Sequence, residues 1–90
     1  RPNTPEVLNN LGTVYRKLGD KENALASFEK AVTLRPNYAI ARYNLAEVYE
    51  PTNPKRALSE YETYLALVEG IPDEASRIAL VQQRVKALKH

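Results

Sequence analysis

Residues 1–15 read RPNTPEVLNNLGTVY, and residues 35–49 read RPNYAIARYNLAEVY. The two stretches share Arg1/Arg35, Pro2/Pro36, Asn3/Asn37, Asn10/Asn44, Leu11/Leu45, Val14/Val48 and Tyr15/Tyr49. Seven identities in fifteen aligned positions exceed chance, and an interval of 34 residues lies in the range that marks stacked repeat architectures. A chain of 90 residues that begins twice reads as two copies of one unit followed by a closing element.

Within the first copy, Val7, Leu8, Leu11, Val14, Tyr15 and Leu18 are spaced by three and four, as one broad helical stripe. Thr4-Pro5 is a start signal, since Thr can cap and Pro is tolerated in a first turn that has no use for its N–H. Leu18-Gly19-Asp20 stops that helix and restarts the chain, Gly being free to turn left-handed and Asp free to cap. A second helix is expected over 21–34, burying Ala24, Leu25, Phe28, Ala31 and Val32. A third, over 38–50, repeats the first through Leu45, Ala46, Val48 and Tyr49. A fourth, over 54–68, repeats the second through Ala57, Leu58, Tyr61 and Leu65, at an offset of 33. After Glu69-Gly70-Ile71-Pro72, a fifth helix over 73–89 carries the stripe Ile78, Val81, Val85 and Leu88. The expected fold is all-α, a stack of antiparallel neighbours joined by short loops.

The spacing resembles the tetratricopeptide repeat. Leu8, Leu11-Gly12, Tyr15, Ala24, Phe28, Ala31 and Pro36 stand at its signature positions, Leu8 replacing Trp. Physically, Gly12 and Ala24 are small where paired helices approach, and Tyr15 and Phe28 fill the space beside them. The second unit keeps Leu45, Ala46, Tyr49 and Ala57 and has Tyr61 for Phe. It departs at Arg42, at Tyr64 opposite Ala31, and in lacking the terminal Pro; its inner turn carries Pro51 and Pro54 instead of Gly. The resemblance implies one domain: a first repeat over 5–36, a second over 37–69, and a solvating capping helix over 73–89. Arg77, Gln82, Gln83, Arg84, Lys86 and Lys89 can give that helix its polar outer face. Arg1-Pro2-Asn3 reads as the tail of a preceding repeat, so a longer parent protein is expected. Loss of that repeat would uncover Val7, Leu8 and Val14 and invite self-association.

Composition narrows the function classes. Thirteen basic residues are dispersed among eleven acidic ones, for a net charge of +2. The chain has no Cys, so disulfides and thiolate metal sites are excluded, and any compartment is compatible, with the cytoplasm favoured. No apolar run approaches the length of a membrane span and no membrane partner is expected. The one His is His90 at the chain end, and no nucleophile motif, Gly-rich phosphate loop or metal-ligand spacing is present. Glu47 and Glu50 lie one turn apart, but a pairing with Arg16 on the neighbouring helix explains them better than an acid pair. An enzyme is not expected, and neither is a cofactor. Nucleic acid is not expected either, because Lys55-Arg56 and Arg84-Lys86 are short and separated.

Protein recognition remains. The resemblance implies that the first helix of each pair lines a concave, peptide-binding groove, with Asn9, Asn10, Thr13, Arg16, Tyr43, Asn44, Glu47 and Arg77 as its contact residues. Glu6, Ile40, Glu50, Asp73, Ser76 and Leu80 would extend that surface. A clamp for a C-terminal dicarboxylate wants Lys and Asn where this chain has Asn9 and Thr13, which disfavours an acidic tail as ligand. Asn10 and Asn44, one period apart, resemble the rungs of an asparagine ladder, whose amides both donate to and accept from a peptide backbone. The expected partner is a protein or peptide. The rival readings are an architectural spacer within a longer array, and a regulatory or substrate-presenting arm of an enzyme whose catalytic domain lies elsewhere.

Overall fold

The computed structural model describes residues 4–89; Arg1-Pro2-Asn3, shared by the two copies, and His90 lie outside them. The described residues form α1 (Pro5–Lys17), α2 (Lys21–Leu34), α3 (Ala39–Tyr49), α4 (Pro54–Val68) and α5 (Ala75–Leu88). A single 3-10 turn, Pro72–Glu74, leads into α5.

The punctuation works as the sequence implies. The Thr4 hydroxyl accepts from the Val7 N–H at 3.2 Å, and Pro5 occupies the first turn of α1. Gly19 adopts a φ of +80°, and the Asp20 carboxylate caps α2 by accepting from the Asn23 N–H at 3.2 Å. Asn53 caps α4 in the same way, accepting from the Arg56 N–H at 3.3 Å. Pro51 and Pro54 bracket a turn in which the N–H groups of Thr52 and Asn53 both donate to the Tyr49 carbonyl, without a left-handed residue. Two starts differ from expectation. Tyr38 stays extended as the flanking residue of α3, and the last helix begins at Ala75 instead of Asp73. Pro72 explains the second: it offers no N–H, and the residues after it close with the tighter bonds Glu74 N–H to Ile71 and Ala75 N–H to Pro72.

Each helix packs chiefly on its neighbours in the chain, α1 on α2, α2 on α3, α3 on α4 and α4 on α5. Phe28, Leu45, Tyr61, Tyr64 and Val81 are the largest fully buried side chains, with Ala24, Ala31, Ala41, Ala46 and Ala57 between them. The glycine of the first hairpin is there for space. A Cβ on Gly12 would stand 2.6 Å from the Phe28 ring, which is itself wholly buried.

The second hairpin's departures are compensated in kind. The Arg42 Nη1 donates to Glu60 Oε1 at 2.9 Å, with only 19% and 6% of the two side chains exposed. Arg42 Nε also donates to the Pro36 carbonyl, at 3.0 Å. Arg56 reaches Glu60 at 3.4 Å and Glu29 at 3.2 Å, and lies 4.6 Å above the Tyr49 ring, whose hydroxyl donates to Glu29. A charged network thus ties α2, α3 and α4 together where the first hairpin has Leu8 and Ser27.

The stripe on α1 is mostly bare, as expected for Val7 and Val14 but not for Leu8. Of Val7, Leu8, Leu11, Val14, Tyr15 and Leu18, Leu8 alone is buried and Tyr15 half-buried; the other four are exposed, Leu18 by 75%. Their counterparts Ala41, Leu45 and Val48 on α3 are all buried. The difference is a neighbour: α3 lies between α2 and α4, whereas among the described residues α1 packs mainly on α2.

Candidate groove on the α1–α3–α5 face

The same stacking sets α1, α3 and α5 side by side on one face of the molecule. Tyr43 on α3 is its centre. Its ring lies 6.3 Å from Tyr61 and 5.7 Å from Tyr64, both tilted, and the Arg77 guanidinium covers it at 5.2 Å. Two adjoining clefts share Tyr43 and Leu80. The first, of about 340 Å³, is lined by Arg16 from α1, by Tyr43, Glu47, Glu50 and Pro51, by Tyr61, and by Leu80 and Arg84 from α5. The second, of about 380 Å³, is lined by Tyr43, Asp73, Glu74, Ser76, Arg77 and Leu80.

Three carboxylates along these clefts are each held by a tyrosine hydroxyl and an arginine. Glu47 accepts from the Tyr43 hydroxyl at 2.8 Å and from Arg16 Nη1 at 2.6 Å. Glu50 accepts from the Tyr61 hydroxyl at 2.8 Å and from Arg84, whose Nε stands at 3.2 Å and whose Nη2 reaches the other oxygen. Glu74 accepts from the Tyr64 hydroxyl and from Arg77 Nη1 at 3.0 Å. Burial pushes the hydroxyls of Tyr61 and Tyr64 up to about 12, with the charges of Glu47 and Glu74 respectively adding to it, so both remain donors at neutral pH. Tyr43 is raised for the same reasons, burial first and Glu47 second. The Tyr64 hydroxyl, helped by Arg77, holds the Glu74 carboxyl below its ordinary value.

Of the residues expected in the groove, Arg16, Tyr43 and Glu47 come together in the first cleft, and Tyr43 and Arg77 in the second. The expected extensions Glu50, Leu80, Asp73 and Ser76 also line these clefts, whereas Glu6 instead pairs with Arg35 at 2.6 Å. Asn9, Thr13 and Asn44 form a separate set. The Asn44 amide donates to Asn9 Oδ1 at 3.0 Å and the Thr13 hydroxyl to the Asn9 carbonyl at 3.1 Å, with Asn9 buried. Asn10 is exposed and lines neither cleft, so the two asparagines of the repeated column have different surroundings. Sequence reasoning missed Pro51, Tyr61 and Glu74 as groove residues, and placed Arg84 on the outer face of the last helix. A signal for Arg84 existed: Arg77, Leu80 and Arg84 are spaced by three and four, one face of one helix. Among the described residues, no group of three or more His, Cys, Asp or Glu is placed to hold a metal ion, and no helix is long and apolar enough to cross a membrane.

Comparison with known proteins agrees with this architecture. Residues 5–38 match the tetratricopeptide repeat family. The human tetratricopeptide repeat protein 6 is 37% identical over 46 residues, which are 51% of this chain and 9% of that protein. The uncharacterized protein ycf37 of Pyropia yezoensis is 38% identical over 62 residues, 68% of this chain and 35% of that protein. The chain therefore spans only a minor part of either relative's length. Among solved structures, the type III secretion chaperone SycD of Yersinia enterocolitica, in complex with a peptide of the translocator YopD, superposes with a TM-score of 0.89 at 16% identity, over 97% of this chain and 67% of that one. At that identity the likeness is one of fold. With the signature residues of the first repeat, the five-helix stack and these matches in agreement, residues 5–38 are a tetratricopeptide repeat.

Proposed function

We propose that this chain is a non-catalytic interaction module that holds a peptide, or an extended segment of a partner protein, in the groove of α1, α3 and α5. The family and the fold support a protein-interaction module in general. The observation that carries the finer reading is the first cleft, walled by helices from both repeats and by α5 around an aromatic floor. In this reading the domain comprises a first repeat over 5–36, a second over 37–69, and a cap over 73–89, whose exposed Gln82, Gln83, Lys86 and Lys89 close the stack towards solvent. Panning a displayed random peptide library against the chain tests it, with Leu80→Glu as the counter-screen. Leu80 is exposed at the cleft wall, so the substitution spares the core. Selected peptides should lose at least about tenfold in affinity for that variant. Recovery of no binder, or of binders indifferent to Leu80→Glu, overturns the reading.

A second contact follows from the bare stripe on α1. Val7, Leu11, Val14 and Leu18 are exposed together, and an apolar patch of this kind favours self-association. Sedimentation should show concentration-dependent dimers that Leu11→Glu abolishes. A clean monomer of the unaltered chain at high concentration removes this contact and leaves the groove untouched.

A further inference from the structure

The hydrogen bonds inside the first cleft leave an imbalance between donors and acceptors. Both oxygens of Glu47 are engaged, one by Arg16 and one by the Tyr43 hydroxyl. Both oxygens of Glu50 are engaged too, by the Tyr61 hydroxyl and by two nitrogens of Arg84. A guanidinium, however, carries five N–H donors on three nitrogens. Arg16 commits only Nη1 in these bonds, which leaves Nε and Nη2; Arg84 commits Nε and Nη2, which leaves Nη1. The layering points the same way. Arg16 is 42% exposed over a Glu47 that is 28% exposed, and Arg84 is 43% exposed over a Glu50 that is 21% exposed. A ligand entering the cleft meets guanidinium before carboxylate, and what the guanidiniums lack is acceptors. The two arginines stand on different helices, α1 and α5, with the rings of Tyr43 and Tyr61 and the Leu80 side chain also lining the space.

We propose that the first cleft recognises an extended peptide segment bearing an apolar side chain between two carboxylates, the carboxylates on Arg16 and Arg84 and the apolar side chain among Tyr43, Tyr61 and Leu80. This rests on the peptide-binding reading of the groove and names its ligand class. The recognised carboxylates are side chains, not a chain terminus. A charge-assisted bond to a guanidinium already fixed by an ion pair costs little further side-chain ordering. A basic segment finds fewer open sites: Glu47 and Glu50 together keep about three lone-pair sites, against about seven uncommitted N–H donors on the two arginines. In an extended strand alternate side chains share a face, so the sequence Glu-Ala-Leu-Ala-Glu presents all three groups together.

The test is fluorescence anisotropy with three labelled probes, acetylated and amidated at their ends: Glu-Ala-Leu-Ala-Glu, its Gln counterpart and its Lys counterpart. The Glu probe should bind about tenfold or more tighter than the other two, and its affinity should fall with added salt. Arg16→Gln and Arg84→Gln should each weaken it about tenfold, while Lys55→Gln, which removes the same charge at an exposed site away from the cleft, should change it less than about twofold. Both arginines also bridge helices, so the unaltered chain supplies a second readout. The Arg16 Nε–H resonance should shift on titration with the Glu probe and stay in place with the Gln probe. Equal binding of the Gln or Lys probe, or an Arg16 Nε–H that does not respond to the Glu probe, overturns the assignment of an acidic ligand. If library peptides occupy the groove while the Glu probe does not, this inference fails and the peptide-binding reading stands. If nothing binds there, both fail.

Discussion

The first hairpin sets Phe28 against a glycine and keeps Leu8, Ser27 and Ala31 around it; the second has Tyr61, Ala46, Arg42, Glu60 and Tyr64 at the same positions. One backbone plan is thus filled by two chemistries. The first hairpin relies on volume: a ring fits because a methyl group is missing. The second relies on pairing, since each polar atom it buries meets a partner, and no buried side-chain nitrogen or oxygen among the described residues lacks one. A repeat signature therefore specifies where helices must approach, while leaving open whether apolar contact or a hydrogen-bonded network fills the gap.

Substitutions that exchange the two chemistries should separate them. The largest effect is expected from Phe28→Ala, which empties the fully buried centre of the first hairpin and should cost about 3–5 kcal/mol in a urea or thermal melt. A melt left unchanged would mean that the first hairpin does not pack around this ring. Next is Arg42→Leu, which copies Leu8 into the second hairpin but strands Glu60. It should cost about 3 kcal/mol, at the lower end for a broken buried pair because Arg56 still reaches Glu60. Adding Glu60→Ser, which completes the copy, should restore most of that loss; a double variant no better than the single one would show that the pair is not the stabilising unit.

The small residues should respond by different amounts. Gly12→Ala should cost about 1–3 kcal/mol despite the better helix propensity of alanine, because its methyl group meets the Phe28 ring. Ala46→Gly, the reverse change, should cost only about 0.5–1 kcal/mol. Equal losses at the two sites would remove the distinction. The last comparison concerns alkaline stability. The folded-state hydroxyls of Tyr61 and Tyr64 titrate near 12, above the ordinary value of 10.0, so the unfolded chain ionises first. Their contribution is complete below about pH 10 and declines as pH rises towards 12. The first hairpin has Phe28 and Ala31 there and no such sensitivity. Melting temperatures of the chain should fall more steeply over that window than those of Tyr61→Phe; parallel curves would refute the assignment.

Much of the fold was legible because its signals are local. Caps at Thr4 and Asp20 and the left-handed Gly19 lie within a few residues of the breaks they specify. Errors arose where a partner had to be known. Val7, Leu8 and Val14 were expected to be uncovered together, yet Leu8 is buried, because which side of α1 faces a neighbouring helix is decided by packing and not by spacing. Arg16, Tyr43, Glu47 and Arg77, expected from the repeat's register, line the two clefts. The role of Arg84 was not legible, because Glu50 and Arg84 are 34 residues apart and only the packing of α5 brings them together. The asparagine column shows the limit of register itself. Asn10 and Asn44 are equivalent in sequence, but Asn44 bonds across to Asn9 on α1.

Packing between chain neighbours alone has a kinetic consequence. Nearly every contact joins a helix to the one before or after it, so contact order is low and either hairpin can nucleate without waiting for distant segments to meet. Opening runs along the same line in reverse. Amide exchange should be fastest in α1 and α5, each flanked on one side among the described residues, and slowest in α3, which is enclosed by α2 and α4 and lies at the middle of the groove. Local melting that begins at the ends would therefore take away Arg16 and Arg84 first and leave Tyr43 on a helix that is still formed.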